Sequence, residues 1–293
     1  MNIDIKNMCK QLRLAHLADV YEDIPFGDRE QFVEELLRRE LALRKETKAK
    51  TLIKRARFLH HKSLASFEWR DQVHLPPKLD KGELESLNFI HRKENIVLSG
   101  SPGTGKTHLA VGLGHKACEQ GKEVRFYRVA DLAETLEKTW REGRFQQFRN
   151  RFKQVDLIIL DEMGYVPFSR EGAELLFQLI SDWYDQKSVI ITSNLEFSQW
   201  NRIFSDSRLT AALVDRVIHH AHILSFTGDS YRVMNALSRK NKIWIGRLQS
   251  SKLFYCKTHI AYILLNLSIF PLLKYLHLNI VGLPYALYEE YLD

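Results

Sequence analysis

Cysteine is scarce in this chain. Its 293 residues include three, Cys9, Cys118 and Cys256, far apart and forming no CxxC pair. That pattern excludes a disulfide framework and a cysteine-based zinc site, and it fits a reducing compartment. Long apolar runs are missing as well. The longest uncharged stretch, Thr258 to Leu273, contains His259, Asn266, Ser268 and Pro271. It falls short of the roughly 18 apolar residues of a spanning helix. The first residues, Met1 to Lys6, lack an apolar signal region, so neither secretion nor a membrane partner is expected and the location reads as cytoplasmic. Nothing repeats internally. Acid is outweighed by base, 36 residues against 43, for a net charge of +7. That balance favours an acidic partner such as nucleic acid.

What is present centres on Gly100-Ser101-Pro102-Gly103-Thr104-Gly105-Lys106-Thr107, with His108 following. An apolar run, Ile96 to Leu98, precedes it, and a helical pattern follows to Glu119. Strand, glycine-rich loop, lysine, hydroxyl and helix make up the setting of a phosphate-binding loop. The glycines let successive N–H groups turn inward around phosphate oxygens, and the helix N-terminus adds partial positive charge. Lys106 is expected to reach the β- and γ-phosphates of ATP, and Thr107 to hold Mg²⁺.

A second run, Val155 to Leu160, is apolar apart from Asp156 near its start and ends in Asp161-Glu162. Near-continuous apolarity marks a strand buried on both faces of a parallel sheet. Acids at its end, with a phosphate loop upstream, read as a Walker B strand. Asp161 is expected to help hold Mg²⁺ and Glu162 to polarise the attacking water. A third strand, Ser188 to Asn194, ends in polar residues. Asn194 is either a water-orienting group or an ordinary turn residue. Alternating strands and helices from about 80 to 230 predict a three-layer α/β domain with a parallel sheet. The acid pair and Asn194 suit water activation better than transfer to a metabolite, which disfavours a small-molecule kinase.

Ahead of this domain, residues 1 to about 24 read as one amphipathic helix. Asp28 then caps a second helix that becomes very basic. Arg44, Lys45, Lys48, Lys54, Arg55 and Arg57 there, with Arg141 and Arg144 further on, are candidate DNA-phosphate contacts or solvated helix faces. Pro76-Pro77 marks a linker. The expected organisation is a helical N-terminal domain over 1–75, a nucleotide-binding domain over 76–241, and an apolar tail over 242–293.

The loop 100–108, the strand LIILDEMG, the strand VIITSN, the helix LVDRVIHHA and the turn GDSYR together resemble the IstB/DnaC branch of the AAA+ ATPases. Within that branch the chain looks like the IstB-type helper ATPases of insertion-sequence transposition. The resemblance covers residues 1 to about 240. It implies an AAA+ fold, ATP hydrolysis with Mg²⁺, double-stranded DNA and a transposase as partners, and a homo-oligomer. The other reading in this branch is a replicative helicase loader of the DnaC type. The resemblance also implies that Asn194 is a sensor I residue, Arg216 an arginine finger acting on a neighbouring subunit, and Arg232 a sensor II-like arginine. Arg208 competes with Arg216 for the finger role. The tail over 242–293 has no counterpart in the family.

Overall fold

The structure, a computed structural model, describes residues 3–231 apart from 166, 205 and 229. Arg232, the end of the nucleotide-binding segment and the tail over 242–293 lie outside the described residues. The chain opens with helices α1 (Ile3–Gln11), α2 (Leu17–Val20) and α3 (Arg29–Ala56). Strand β1 (Val73–His74), helices α4 (Lys81–Ser86) and α5 (Asn88–His91), and β2 (Asn95–Gly100) follow. Then come α6 (Lys106–Glu119), β3 (Val124–Arg128), α7 (Val129–Arg141), α8 (Phe145–Asn150) and β4 (Leu157–Met163). The order ends with α9 (Arg170–Trp183), β5 (Ser188–Ser193), α10 (Asn201–Phe204), α11 (Ser207–Ile218) and β6 (Ala221–Phe226).

Among the described residues six strands form one sheet in the order β1-β6-β2-β5-β4-β3. All pairings are parallel except β1 with β6. Successive side chains of a strand point to opposite faces, and the two cores obey this. Ile158 and Leu160 enter the core under α7, α9 and α11. Leu157 and Ile159 enter the core under α3 and α6. These are the three layers expected. Burial on both faces is why β4 and β5 read as unbroken apolar runs. Among the described residues no helix is long and apolar enough to cross a membrane.

The N-terminal segment departs from expectation in two ways. The single helix over 1–24 is broken at Arg13, whose φ is 56°, with Leu14 N–H closing the turn on the Cys9 carbonyl at 2.8 Å. A left-handed residue at that position ends a helix. The boundary near residue 75 is also not a gap in the packing. Leu52 and Ala56, at the end of α3, are buried in the same core as Leu109 and Leu113 of α6. The Phe58 ring stacks on His115 of α6 at 4.5 Å. β1 extends the sheet itself: Val73 and His74 pair with Phe226 and Ser225.

Candidate nucleotide-binding site

Because β2 lies between β5 and β6, its carboxyl end opens a crevice where the chain departs to both sides, the usual ligand position in such sheets. The phosphate loop fills it. Gly100, Gly103 and Gly105 have φ of 143°, 81° and 107°. At two of these no side chain fits: a Cβ on Gly100 would lie 1.9 Å from the Phe226 carbonyl oxygen, and one on Gly103 2.1 Å from Ser230 Oγ. Thr104 Oγ1 donates to the Ser101 carbonyl at 2.8 Å, which tightens the turn. Lys106 is buried, and its Nζ donates to the carbonyls of Gly100 (2.6 Å) and Ser101 (2.7 Å). Its charge is thereby held at the loop. Pro102 and Ser101 are exposed at the tip. The His108 ring turns away, bonding to the Ser63 carbonyl at 3.0 Å and approaching Ser66 Oγ at 3.2 Å. Any part it plays in binding is left to its backbone.

Asp161 is 3 % exposed at the carboxyl end of β4. Its Oδ1 accepts from Thr107 Oγ1 (2.8 Å) and from Thr192 Oγ1 (2.6 Å). Sequence reasoning singled out Asn194 and passed over Thr192, two residues earlier. Its signal was a hydroxyl inside an apolar strand beside the acid strand. Glu162 is exposed, with φ of 63°, and its N–H donates to Thr192 Oγ1 at 2.9 Å. A left-handed backbone at a non-glycine residue is uncommon, and here it coincides with the catalytic candidate. Asn194 is exposed just past β5, near the acid pair in sequence register, but hydrogen-bonded to neither Asp161 nor Glu162. The carboxylate and hydroxyl of Asp161 and Thr107 are the hard oxygen donors that Mg²⁺ takes, and their contact at 2.8 Å brings them to one place beside the loop.

Arg216 is not brought to this site. It sits in the last turn of α11, beside Val217, whose carbonyl accepts from Asn95 Nδ2 at 3.1 Å. Asn95 begins β2 and Gly100 ends it, so the two edges are about 17 Å apart at 3.3 Å per residue. The guanidinium lies over the Phe177 ring, 4.4 Å from its centroid, and forms no ion pair among the described residues. Arg208 stands in the first turn of the same helix, exposed.

The DNA candidates divide. Arg44 pairs with Glu40 (2.7 Å), Arg55 with Glu123 (3.8 Å), Arg141 with Glu137 (2.9 Å) and Arg144 with Glu142. Arg38, Arg39 and Lys50 are likewise matched one turn away by Glu34, Glu35 and Glu46. Lys45, Lys48, Lys54 and Arg57 carry no ion pair among the described residues. The basic stretch is therefore less uncompensated than its composition suggests. Glu40 itself is 2 % exposed. Burial alone would raise its carboxyl, but the Arg44 guanidinium and the His16 N–H (3.0 Å) outweigh that and hold it below the usual range.

With this geometry in place, the comparisons are direct. The family model described as "IstB-like ATP binding protein" matches residues 7–239. A putative ATP-binding protein of insertion sequence IS232 from Bacillus thuringiensis is 34% identical over 232 residues, 77% of this chain and 91% of that protein. The corresponding protein of IS21 from Pseudomonas aeruginosa is 40% identical over 181 residues, 62% of this chain and 68% of that one. Among solved structures, a DNA replication initiation factor superposes with a TM-score of 0.51 at 22% identity, covering 71% of this chain and 66% of that one. That likeness bears on the fold alone, a mixed α/β architecture around a largely parallel six-stranded sheet. The chain belongs to the IstB-like ATP-binding proteins of insertion sequences.

Proposed function

We propose that this protein is an ATPase that assembles on double-stranded DNA and assists the transposase of its mobile element. The observation that carries the reading is the cluster of Lys106, Thr107, Asp161 and Glu162 at the carboxyl edge of the sheet, in which Thr107 meets Asp161 directly and Thr192 ties Asp161 to the Glu162 N–H. The loop N–H groups and Lys106 bind the triphosphate. Thr107 and Asp161 hold Mg²⁺, which when bound neutralises charge developing on the phosphate oxygens. The Glu162 carboxylate takes a proton from water as the water oxygen bonds to the γ-phosphorus. The bond from that phosphorus to the bridging oxygen breaks, and ADP leaves with the electron pair. Asn194 orients the water.

The edge position of Arg216 supports a role in trans: it is far from its own loop and, among the described residues, has no carboxylate partner, as suits a finger for another subunit. Arg232 is assigned as the sensor II-like residue by motif alone. Lys45, Lys48, Lys54 and Arg57, with Arg141 and Arg144 after exchange of their exposed pairs, supply contacts to DNA phosphates. Exposed pairs contribute about 0–1 kcal/mol and exchange readily. The transposase assignment follows the insertion-sequence relatives.

The experiment is duplex-DNA binding by wild type and Glu162→Gln with ATP, ADP or no nucleotide, across a salt series. Tight, salt-steep binding that requires ATP and persists in Glu162→Gln supports the reading. Binding indifferent to nucleotide, or absent at low salt, removes it.

A further inference from the structure

Two stretches far apart in the chain meet at the tip of the phosphate loop. One runs through residues 67–74 and ends in β1; the other leads from Thr227 to Tyr231 after β6. They are joined to each other. The Thr227 N–H donates to the Gln72 carbonyl at 2.9 Å, and Thr227 Oγ1 meets His74 Nε2 at 2.9 Å. Tyr231 closes the seam. The Arg70 guanidinium lies over its ring, 4.7 Å from the centroid, and its hydroxyl donates to Glu68 Oε1 at 3.3 Å. Arg70 and Glu68 pair with one another at 2.6 Å. Three contacts thus hold a single side chain that the proposed mechanism does not use.

The joined stretches touch the loop at two of its glycines. The Tyr231 N–H donates to the Gly103 carbonyl at 3.0 Å, and Phe67 Cε2 would lie 3.2 Å from a Cβ on Gly105. The bond to Gly103 bears on phosphate binding. The C=O and N–H of a trans peptide unit point in opposite directions, and no peptide bond among the described residues is cis. With the Gly103 carbonyl held toward Tyr231, the Thr104 N–H is turned the other way. Thr104 Oγ1, bonded to the Ser101 carbonyl at 2.8 Å, fixes the far side of the same turn. A cradle of N–H groups binds an anion only when successive groups converge on it.

We propose that Tyr231, held by Arg70 and Glu68, is a positioning residue for the phosphate loop: its N–H fixes the Gly103–Thr104 peptide so that the Thr104 N–H faces bound phosphate. The inference rests on the loop binding nucleotide. Arg70 and Glu68 act through Tyr231 and touch no phosphate themselves. Loop N–H groups of this kind cradle the α- and β-phosphates, which ATP and ADP share. The effect therefore falls on both nucleotides alike, unlike that of a group acting at the γ-phosphate.

The test is calorimetric titration of the full chain with ADP and with a non-hydrolysable ATP analogue, beside steady-state turnover. Arg70→Ala and Tyr231→Leu should each weaken both nucleotides by about two- to fivefold, the worth of an exposed cation–π contact. KM for ATP should rise with them while kcat at saturating ATP holds. Tyr231→Phe keeps the ring under Arg70 and should restore wild-type affinity. Arg70→Ala added to Gly103→Ala should weaken binding no further, because the Gly103 peptide is already displaced. A wild type that binds, with Arg70→Ala and Tyr231→Leu binding as tightly, overturns the inference. A loss confined to the ATP analogue overturns it too and moves the effect to the γ-phosphate. Further loss in the Gly103→Ala background, or no rescue by Tyr231→Phe, overturns the route through the Tyr231 ring and Gly103. A wild type that binds neither nucleotide removes the nucleotide reading itself, and this inference with it.

Discussion

Thr192 donates its hydroxyl to Asp161 Oδ1 at 2.6 Å while accepting the Glu162 N–H at 2.9 Å. One side chain of β5 thus fixes both acids of β4, and it is 2 % exposed. Thr107 donates to the same oxygen, so Oδ2 of Asp161 takes neither bond. Thr192→Val keeps the shape and removes the donor and acceptor. Leaving the Glu162 N–H and the Asp161 carboxylate short of a partner should cost about 1–3 kcal/mol. In a chain of this size that lowers the unfolding midpoint by roughly 2–10 °C. ATP turnover should fall more than ATP binding, and Thr192→Ser should recover both. Thermal unfolding beside turnover assays checks this.

The sheet was legible in the sequence because its strands are buried on both faces. Leu157 to Leu160 reads as a central strand, and the loop after Ile96–Leu98 as a tight one, given three glycines. Less was legible where structure depends on distant partners. β1 is two residues long and exists because Phe226 and Ser225 offer an edge. The helix end at Arg13 carries no glycine or proline to announce it. The basic stretch looked bare because charge counts ignore spacing, whereas the glutamates at 34, 35, 40 and 46 each stand four residues before a base, the favourable orientation on a helix. Thr192 was hidden because a hydroxyl within a strand is usually only a strand residue.

Arg216 is held over Phe177 with its guanidinium 4.4 Å from the ring centroid. If it completes a neighbour's site, Arg216→Ala should lower turnover by roughly 10³–10⁵ with little change in ATP affinity. Arg216→Ala chains keep an intact site and lack the finger, while Glu162→Gln chains keep the finger. Mixing them should recover part of the turnover. Phe177→Leu should weaken turnover through Arg216 and Phe177→Tyr should preserve it, since a ring face attracts the cation. No recovery on mixing, with Arg208→Ala instead behaving as described, moves the role to Arg208.

Gly103 cannot take a side chain without moving the segment that follows β6. Its φ is 81°, Ser230 Oγ stands where a Cβ would be, and its carbonyl accepts the Tyr231 N–H at 3.0 Å. Gly103→Ala should therefore distort the loop locally. Nucleotide affinity should drop by at least tenfold, about 1.4 kcal/mol, while far-UV circular dichroism stays that of the wild type. Unchanged affinity would mean that the loop tolerates the shift.

Glu40 joins α3 to the segment before it through the His16 N–H and Arg44, which also donates to the Arg13 carbonyl. Its carboxyl is depressed below 4.5. The proton is therefore bound more weakly in the folded chain than in the unfolded one, and the ionised group stabilises the fold. That contribution is complete above the unfolded value and is lost as pH falls through the depressed folded value. It does not vary near neutrality. Glu40→Gln keeps the shape and removes the charge, so near neutral pH it should lower stability by about 1–3 kcal/mol. Urea unfolding of both proteins from about pH 7 down to about pH 4 should show the gap between them narrowing only at the acid end. A gap that stays constant into acid would mean that Glu40 is held by its shape and hydrogen bonds and that its charge contributes nothing.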